Sequence, residues 1–218
     1  EVAALRRAPP GAIEEIADVA ALAPLVDPIL AEGKGCVVLC AHLGNWEFMG
    51  AALARRYGGL SVAAREGTTG GLDHWIVDWR RWHGVVTVAR GGSVRPLLRA
   101  LRGNGVVGLL PDQDVRRLPG RFIPFFGRPA WTPTGPFEVA AAAGCAAVPA
   151  FLVRDGGRYV PVGSPPIRFP DGARRDPALL EPGMRAWSAC LEGWIRRYPE
   201  QWVWMHRRWR TAPPEGTA

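Results

Sequence analysis

Short apolar runs that alternate with helix-patterned segments constrain the fold of this chain more than any other feature of its sequence. Gly35-Cys36-Val37-Val38-Leu39-Cys40 is a continuous apolar strand, and Trp46 to Arg56 then takes on helical character. Leu60 to Ala64 reads as a second strand and Leu72 to Trp82 as a helix. The tryptophans at 75, 79 and 82 of that helix fall at i, i+4 and i+7, on a single stripe. Val85 to Ala89 is a strand, Val94 to Arg102 a helix and Val106 to Leu110 a strand. The Pro/Gly-rich stretch from Pro111 to Thr134 reads as a long loop. Beyond it come a helix over Gly135 to Ala143, strands over Ala147 to Val153 and Tyr159 to Val162, and a final helix from about Ala178 to Arg197. Strands alternating with helices predict an α/β domain whose central, mostly parallel sheet is flanked by helices.

A chain of 218 residues fits a single domain with a core that needs no staples, and 48% hydrophobic against 22% charged residues excludes a disordered protein. Residues 1–218 are read as that one domain, with the first dozen residues and Pro213 to Ala218 as polar ends that fray. The 27 basic and 20 acidic residues leave a net charge of +7, and Lys34 is the only lysine. Arginine forks onto phosphate and carboxylate, so the surplus suits a membrane surface, a phosphorylated substrate or a nucleic acid; arginine-rich codon usage would give the same excess. No stretch reaches the roughly 18 uninterrupted apolar residues of a membrane span. The nearest, Phe137 to Val153, is broken by Glu138, Gly144 and Pro149. Cys36, Cys40, Cys145 and Cys190 form no CxxC pair. Cys36, Cys40 and His42 share strand parity, but buried apolar cysteines outweigh a three-ligand metal site, so free thiols and no metal are expected.

Ligands of open α/β sheets bind outside the carboxyl ends of the strands. Three sets of polar residues follow apolar runs: His42, Arg90, and Asp112 with Asp114. Parallel strands would bring all three to one edge. In HLGNWE, a carboxylate at Glu47 within reach of the His42 imidazole would fix its tautomer and make it a general base; the same block also reads as a plain helix start, with Asn45 as N-cap and Glu47 favouring the dipole. Asp112 and Asp114 could order the loop, hold arginines such as Arg116, Arg117, Arg121 and Arg128, or take part in a metal site, although no further ligand lies nearby. Phe122, Ile123, Phe125, Phe126 and Trp131 make that loop too apolar for disorder. PEQWVWMHRRWR, Pro199 to Arg210, interleaves tryptophans with cations. It suits base stacking, a membrane interface, or packing of residues 202 and 204 into the core.

Taken in order, GKG before the first strand, HLGNWE, VARGG, PDQD, FIPFFG, TPTGP and PEQWVWMHRRW resemble the bacterial lipid A biosynthesis (lauroyl/myristoyl) acyltransferase family, within the wider lysophospholipid and glycerolipid acyltransferases. The resemblance spans Lys34 to Arg210. The phosphatidylinositol mannoside acyltransferases share the H-x-G-N-W block and FFG. The resemblance implies direct transfer of a fatty acyl chain from acyl carrier protein or coenzyme A to a glycolipid hydroxyl, with no cofactor and no nucleic acid. The matching positions make His42 the base and Glu47 its orienting partner. Arg90, and less directly Arg80 or Arg81, would bind acceptor phosphate or the oxyanion. Asn45, Asp112, Asp114, Arg121, Phe126, Gly127, Thr132 and Thr134 would shape the substrate site. Partners would be a membrane glycolipid, the acyl thioester and the bilayer surface, on the cytoplasmic face of the bacterial inner membrane. Alternative acceptors are a phosphatidylinositol mannoside, a lysophospholipid or an aminolipid, and the rival class is a basic nucleic-acid-binding module. Members of the family usually carry a longer N-terminal part with a membrane anchor, so the chain is expected to be the catalytic core of a longer enzyme.

Overall fold

All four residues of β1 (Cys36–Leu39) are buried, because both faces of this strand are covered. The computed structural model describes residues 11–64 and 71–214; most of the expected frayed ends lie outside them. β1 pairs in parallel with β4 (Val106–Leu109) on one side and β7 (Ala147–Asp155) on the other. β2 (Leu60–Ala64) and β3 (Val85–Ala89) extend the sheet beyond β4, and β8 (Arg158–Gly163) closes it by pairing antiparallel to β7. The order is β3-β2-β4-β1-β7-β8. The expected α/β architecture with a mostly parallel sheet is therefore what the chain adopts.

Strand parity divides the core in two. Cys36, Val38, Cys40 and Val106 face one layer, formed by α1 (Ala12–Ile16), α2 (Ala23–Leu30), α3 (Trp46–Tyr57) and α4 (Gly71–Trp82). Val37, Leu39, Val107 and Leu109 face the other, formed by α5 (Arg95–Arg102), α6 (Gly135–Ala143) and α7 (Glu181–Arg197). Cys36, Cys40 and Cys145 are buried free thiols; burial pushes the first two up to about 12 and Cys145 to about 11, so none is a nucleophile at neutral pH.

The stretch read as one long loop contains an antiparallel hairpin, β5 (Gly120–Phe125) and β6 (Arg128–Pro133). Three prolines in its strands hide it from a propensity reading, but Pro124 pairs with Pro129, where neither residue has an N–H to lose. Phe125 and Arg128 are register partners, and Phe126 and Gly127 between them have φ of 50° and 72°. Positive φ at both central residues is the pattern of a tight two-residue hairpin turn. Ile123 and Phe125 are fully buried, so the apolar residues of this segment do pack on the domain. The tryptophan stripe of α4 holds at Trp79, which is buried, and half-holds at Trp75. It fails at Trp82, 65% exposed where the helix ends beside the edge strand β3. The last helix is a 3-10 turn over Pro177–Leu180 running into α7.

His83, just past α4, is 2% exposed and packs against Trp79 with ring centroids 4.4 Å apart. Neither ring nitrogen has a partner among the described residues. Burial, aided by the charge of Arg55, lowers its pKa below the ordinary 6.5. The unfolded chain therefore binds the proton first. Stability is complete above about pH 6.5 and falls as pH drops toward the lowered folded value. Urea melts across this range should show that slope in the wild type and a shallower one in His83→Phe. An equal slope in the variant would put the titrating group elsewhere, His206 being the other histidine that burial lowers.

Candidate active site

His42 leaves the carboxyl end of β1, and Asp112 leaves that of β4, the strand next to it. The two meet: His42 Nδ1 lies 2.8 Å from Asp112 Oδ1, and the His42 main-chain N–H donates to Oδ2 at 2.9 Å. The Trp202 indole N–H donates to the same Oδ2 at 3.2 Å. Asp112 is completely buried. Burial alone would raise its pKa, but the hydrogen bonds and charge of His42, with the Trp202 indole, hold it below the usual carboxylate range. An ionised carboxylate only accepts, so the His42 proton sits on Nδ1 and the Nε2 lone pair is left for chemistry.

Nε2 faces Gln113, whose amide nitrogen lies 3.1 Å from it and 3.0 Å from Nε2 of His206. Arg90, after β3, donates from Nη1 to Gln113 Oε1 at 3.3 Å. A guanidinium has only donors, so the amide oxygen must face Arg90 and the NH2 must face the imidazoles. Burial, with the charge of His42, keeps the pKa of His206 below its ordinary value, so at neutral pH it can accept from that NH2. His42, Arg90 and Asp112 thus converge on one edge of the sheet, as the parallel reading predicts.

Glu47, expected to orient His42, is engaged elsewhere. Arg80 on α4 grips it through two nitrogens, with Nε 2.9 Å from Oε2, and the Trp46 indole donates to Oε1 at 3.2 Å. It therefore ties α3 to α4, while Asp112 is the carboxylate on the imidazole. Arg81 points out to solvent near Asp78. Asn45 caps α3 by accepting from the Phe48 N–H at 2.9 Å. Gly44 has no alternative residue, since at φ 65° a Cβ would stand 2.0 Å from the Leu152 carbonyl oxygen of β7. The glycine and the asparagine of HLGNWE thus each have a structural role where β1 leads into α3.

A cavity of about 580 Å³ opens beside His42. Its polar rim includes Glu47, Arg80, Arg90, Gln113 and Glu138. It touches both faces of the sheet at the ends of β2 and β3, with Val62 on one side and Val88, Leu97 and Val139 on the other. Several expected site residues lie away from its lining. Asp114 is held by the Thr211 N–H at 2.7 Å and hydroxyl at 2.8 Å, and Arg121 pairs with Glu181 on α7 at 3.0 Å. Phe126 and Gly127 form the hairpin turn. Thr132 is buried and accepts from Arg208 at 2.7 Å, and Thr134 is the buried residue leading into α6.

The sequence reading did not single out Gln113, Trp202 or Arg208 for these contacts, and it counted His206 only among the cations. All but Gln113 lie on residues 199–211, which cross the site as a strap. The Gln201 carbonyl accepts from the Gly44 N–H at 3.0 Å, and the Val203 N–H donates to the His42 carbonyl at 3.1 Å. Of the three readings of this segment, core packing holds for Trp202, which is buried, and not for Trp204, which is 54% exposed. Arg208 is buried over the Phe125 ring at 5.1 Å, and burial lowers its pKa to about 10, partly offset by Asp112 and Asp114. Among the described residues, His42, Asp112 and His206 offer ligand atoms within 4.8 Å of one another. With Nδ1 of His42 and both Asp112 oxygens in hydrogen bonds, two imidazole rings remain to offer one nitrogen each, fewer than the three protein ligands of a catalytic zinc site.

A family model for bacterial lipid A biosynthesis acyltransferases matches residues 3–211. A phosphatidylinositol mannoside acyltransferase of Mycobacterium tuberculosis is 34% identical over 128 residues, 57% of this chain and 40% of the relative. A lipid A biosynthesis lauroyltransferase of Escherichia coli is 26% identical over 191 residues, 85% of this chain and 59% of the relative. A palmitoleoyltransferase of the same organism is 26% identical over 189 residues, 84% and 58% respectively. The chain thus spans between 40% and 59% of the length of these relatives.

The Glu47–Arg80 pair is only 14% and 16% exposed at its side chains, so solvent screens it weakly. A double-mutant cycle on Glu47→Ala and Arg80→Ala, read by chemical denaturation, should give a coupling of about 1–3 kcal/mol. A coupling near zero would remove its role as the tie between α3 and α4.

Proposed function

The chain belongs to the bacterial lipid A biosynthesis acyltransferase family, and from that premise we propose that it moves a fatty acyl chain from an acyl thioester to a hydroxyl of a membrane glycolipid. The observation that carries this reading is the pairing of His42 with the buried Asp112, which leaves the Nε2 lone pair, met only by the Gln113 amide among the described residues, beside a largely apolar cavity rimmed by arginine. An apolar cavity suits the chain, and Arg80 and Arg90 suit anionic groups of the acceptor or donor.

In the proposed reaction His42 Nε2 takes the proton of the acceptor hydroxyl as its oxygen attacks the thioester carbon. A C–O bond forms and the carbonyl electron pair moves to oxygen. When that pair returns, the C–S bond breaks, and sulfur leaves with its bonding electrons and receives the proton from His42. No acyl-enzyme is required, in keeping with thiols whose pKa burial raises and a sequence without a G-x-S-x-G elbow. Asp112 replaces Glu47 as the group that fixes the imidazole tautomer and stabilises the imidazolium.

The donor is acyl carrier protein or coenzyme A, and the acceptor is of lipid A type. A phosphatidylinositol mannoside is the second reading, favoured by the 34% identity to the mycobacterial relative. Contact with a membrane surface, for which the cytoplasmic face of the inner membrane is the reading proposed, is supported by Trp204 and Met205, 54% and 86% exposed beside His206, with exposed Arg207 and Arg210 in the same segment. Among the described residues no helix is long and apolar enough to cross a membrane. A nucleic-acid module gains no support, since Arg55, Arg56, Arg80, Arg121, Arg168 and Arg196 are each paired with an acid on different parts of the fold.

His42→Ala should lower transfer about 10²–10⁴-fold with folding intact. Asp112→Asn should cost more in kcat than Glu47→Gln. These are measured by thiol release from acyl carrier protein and coenzyme A thioesters with detergent-dispersed acceptor. Turnover of His42→Ala near the wild-type rate would sink the base assignment, and the reverse ranking of the two acids would return the orienting role to Glu47. Mass spectrometry of lipids from cells with and without the protein identifies the acceptor and chain length.

A further inference from the structure

The amide of Gln113 joins three side chains of the candidate site. It stands on three contacts at once: Oε1 on Arg90 at 3.3 Å, and the amide nitrogen on Nε2 of His42 at 3.1 Å and Nε2 of His206 at 3.0 Å. It also lines the cavity. The acyl-transfer reading places the acceptor hydroxyl on the His42 lone pair, and that is where one of the two amide hydrogens now points.

We propose that Gln113 is a catalytic residue, whose side-chain N–H, aimed by Arg90, is the donor that meets the oxyanion formed on the thioester carbonyl. When the hydroxyl takes the Nε2 lone pair, it displaces one amide hydrogen of three contacts. The bond of Oε1 to Arg90 and the second N–H to His206 still hold the amide in place. The released N–H is left a hydrogen-bond length from the base, where the carbon under attack and its oxygen must lie. A donor fixed in advance in this way costs no reorganisation at the moment of reaction. The guanidinium on Oε1 draws electron density from the amide and strengthens its N–H as a donor. Arg90 is then a positioning residue that acts through Gln113.

This inference rests on the acyl-transfer reading, and thioester hydrolysis without acceptor tests the two separately. Oxyanion stabilisation serves water and glycolipid as nucleophiles alike. Gln113→Met, close to glutamine in shape but without the amide, should slow hydrolysis and transfer by the same factor, about 10²–10³-fold in kcat. KM for the thioester and the melting temperature should stay near wild type. Arg90→Met should lower kcat of both reactions by a smaller factor, and Arg90→Lys, which keeps a donor for Oε1, should recover part of it. A loss confined to transfer would make Gln113 an acceptor-binding group and overturn the proposal. A faster Gln113→Met enzyme would make the amide a plug on His42, and a kcat equal to wild type would overturn the proposal outright. A wild-type protein that neither hydrolyses nor transfers thioesters would instead defeat the acyl-transfer reading itself.

Discussion

A completely buried carboxylate holds this fold and its candidate site together. Asp112 accepts from the main chain at the end of β1, from the imidazole of His42 and from the indole of Trp202. Taking a carboxylate out of water costs several kcal/mol unless its lone pairs are met. Here they are met by groups from two distant parts of the chain, His42 and Trp202, with the Arg208 cation over the Phe125 ring adding favourable charge. The cost of burial thereby becomes a geometric constraint. β1, β4 and the strap over residues 199–211 must all be in place before that charge is satisfied.

The two acids near His42 divide their work by backbone direction. Asp112 sits at a strand end and reaches sideways to the neighbouring strand end. Glu47 sits in the first turn of α3, and its side chain turns to α4, where Arg80 holds it. The first fixes a tautomer. The second fixes the spacing of two helices along the rim of the cavity. An H-x4-E spacing describes both residues of that block without distinguishing these roles, because spacing along the chain carries no information about which way a side chain leaves its element.

Local pattern made the strands, most helices and the shared edge of His42, Arg90 and Asp112 legible, since burial with a fixed period is written into neighbouring residues. The hairpin of β5 and β6 was not, because prolines that oppose each other need no N–H and so escape the usual strand composition. Gln113 and His206 were missed for a different reason. His42 meets Gln113 from 71 positions away, and Gln113 meets His206 from 93. Such contacts depend on the packed strap. Nothing in the residues around Gln113 distinguishes an amide that bridges two imidazoles from a polar loop residue between two acids.

The strap also sets an order of events. Synthesis proceeds from the N-terminal side, so β1 and β4 can pair while Trp202, His206 and Arg208 have yet to emerge. Until then the Asp112 carboxylate lacks its indole donor, Thr132 lacks its guanidinium and Asp114 lacks Thr211. The nascent sheet thus carries a half-built proton acceptor. Docking of residues 199–211 supplies the indole donor to Asp112 and sets His206 against Gln113, so the proton acceptor is complete only once that segment is in place.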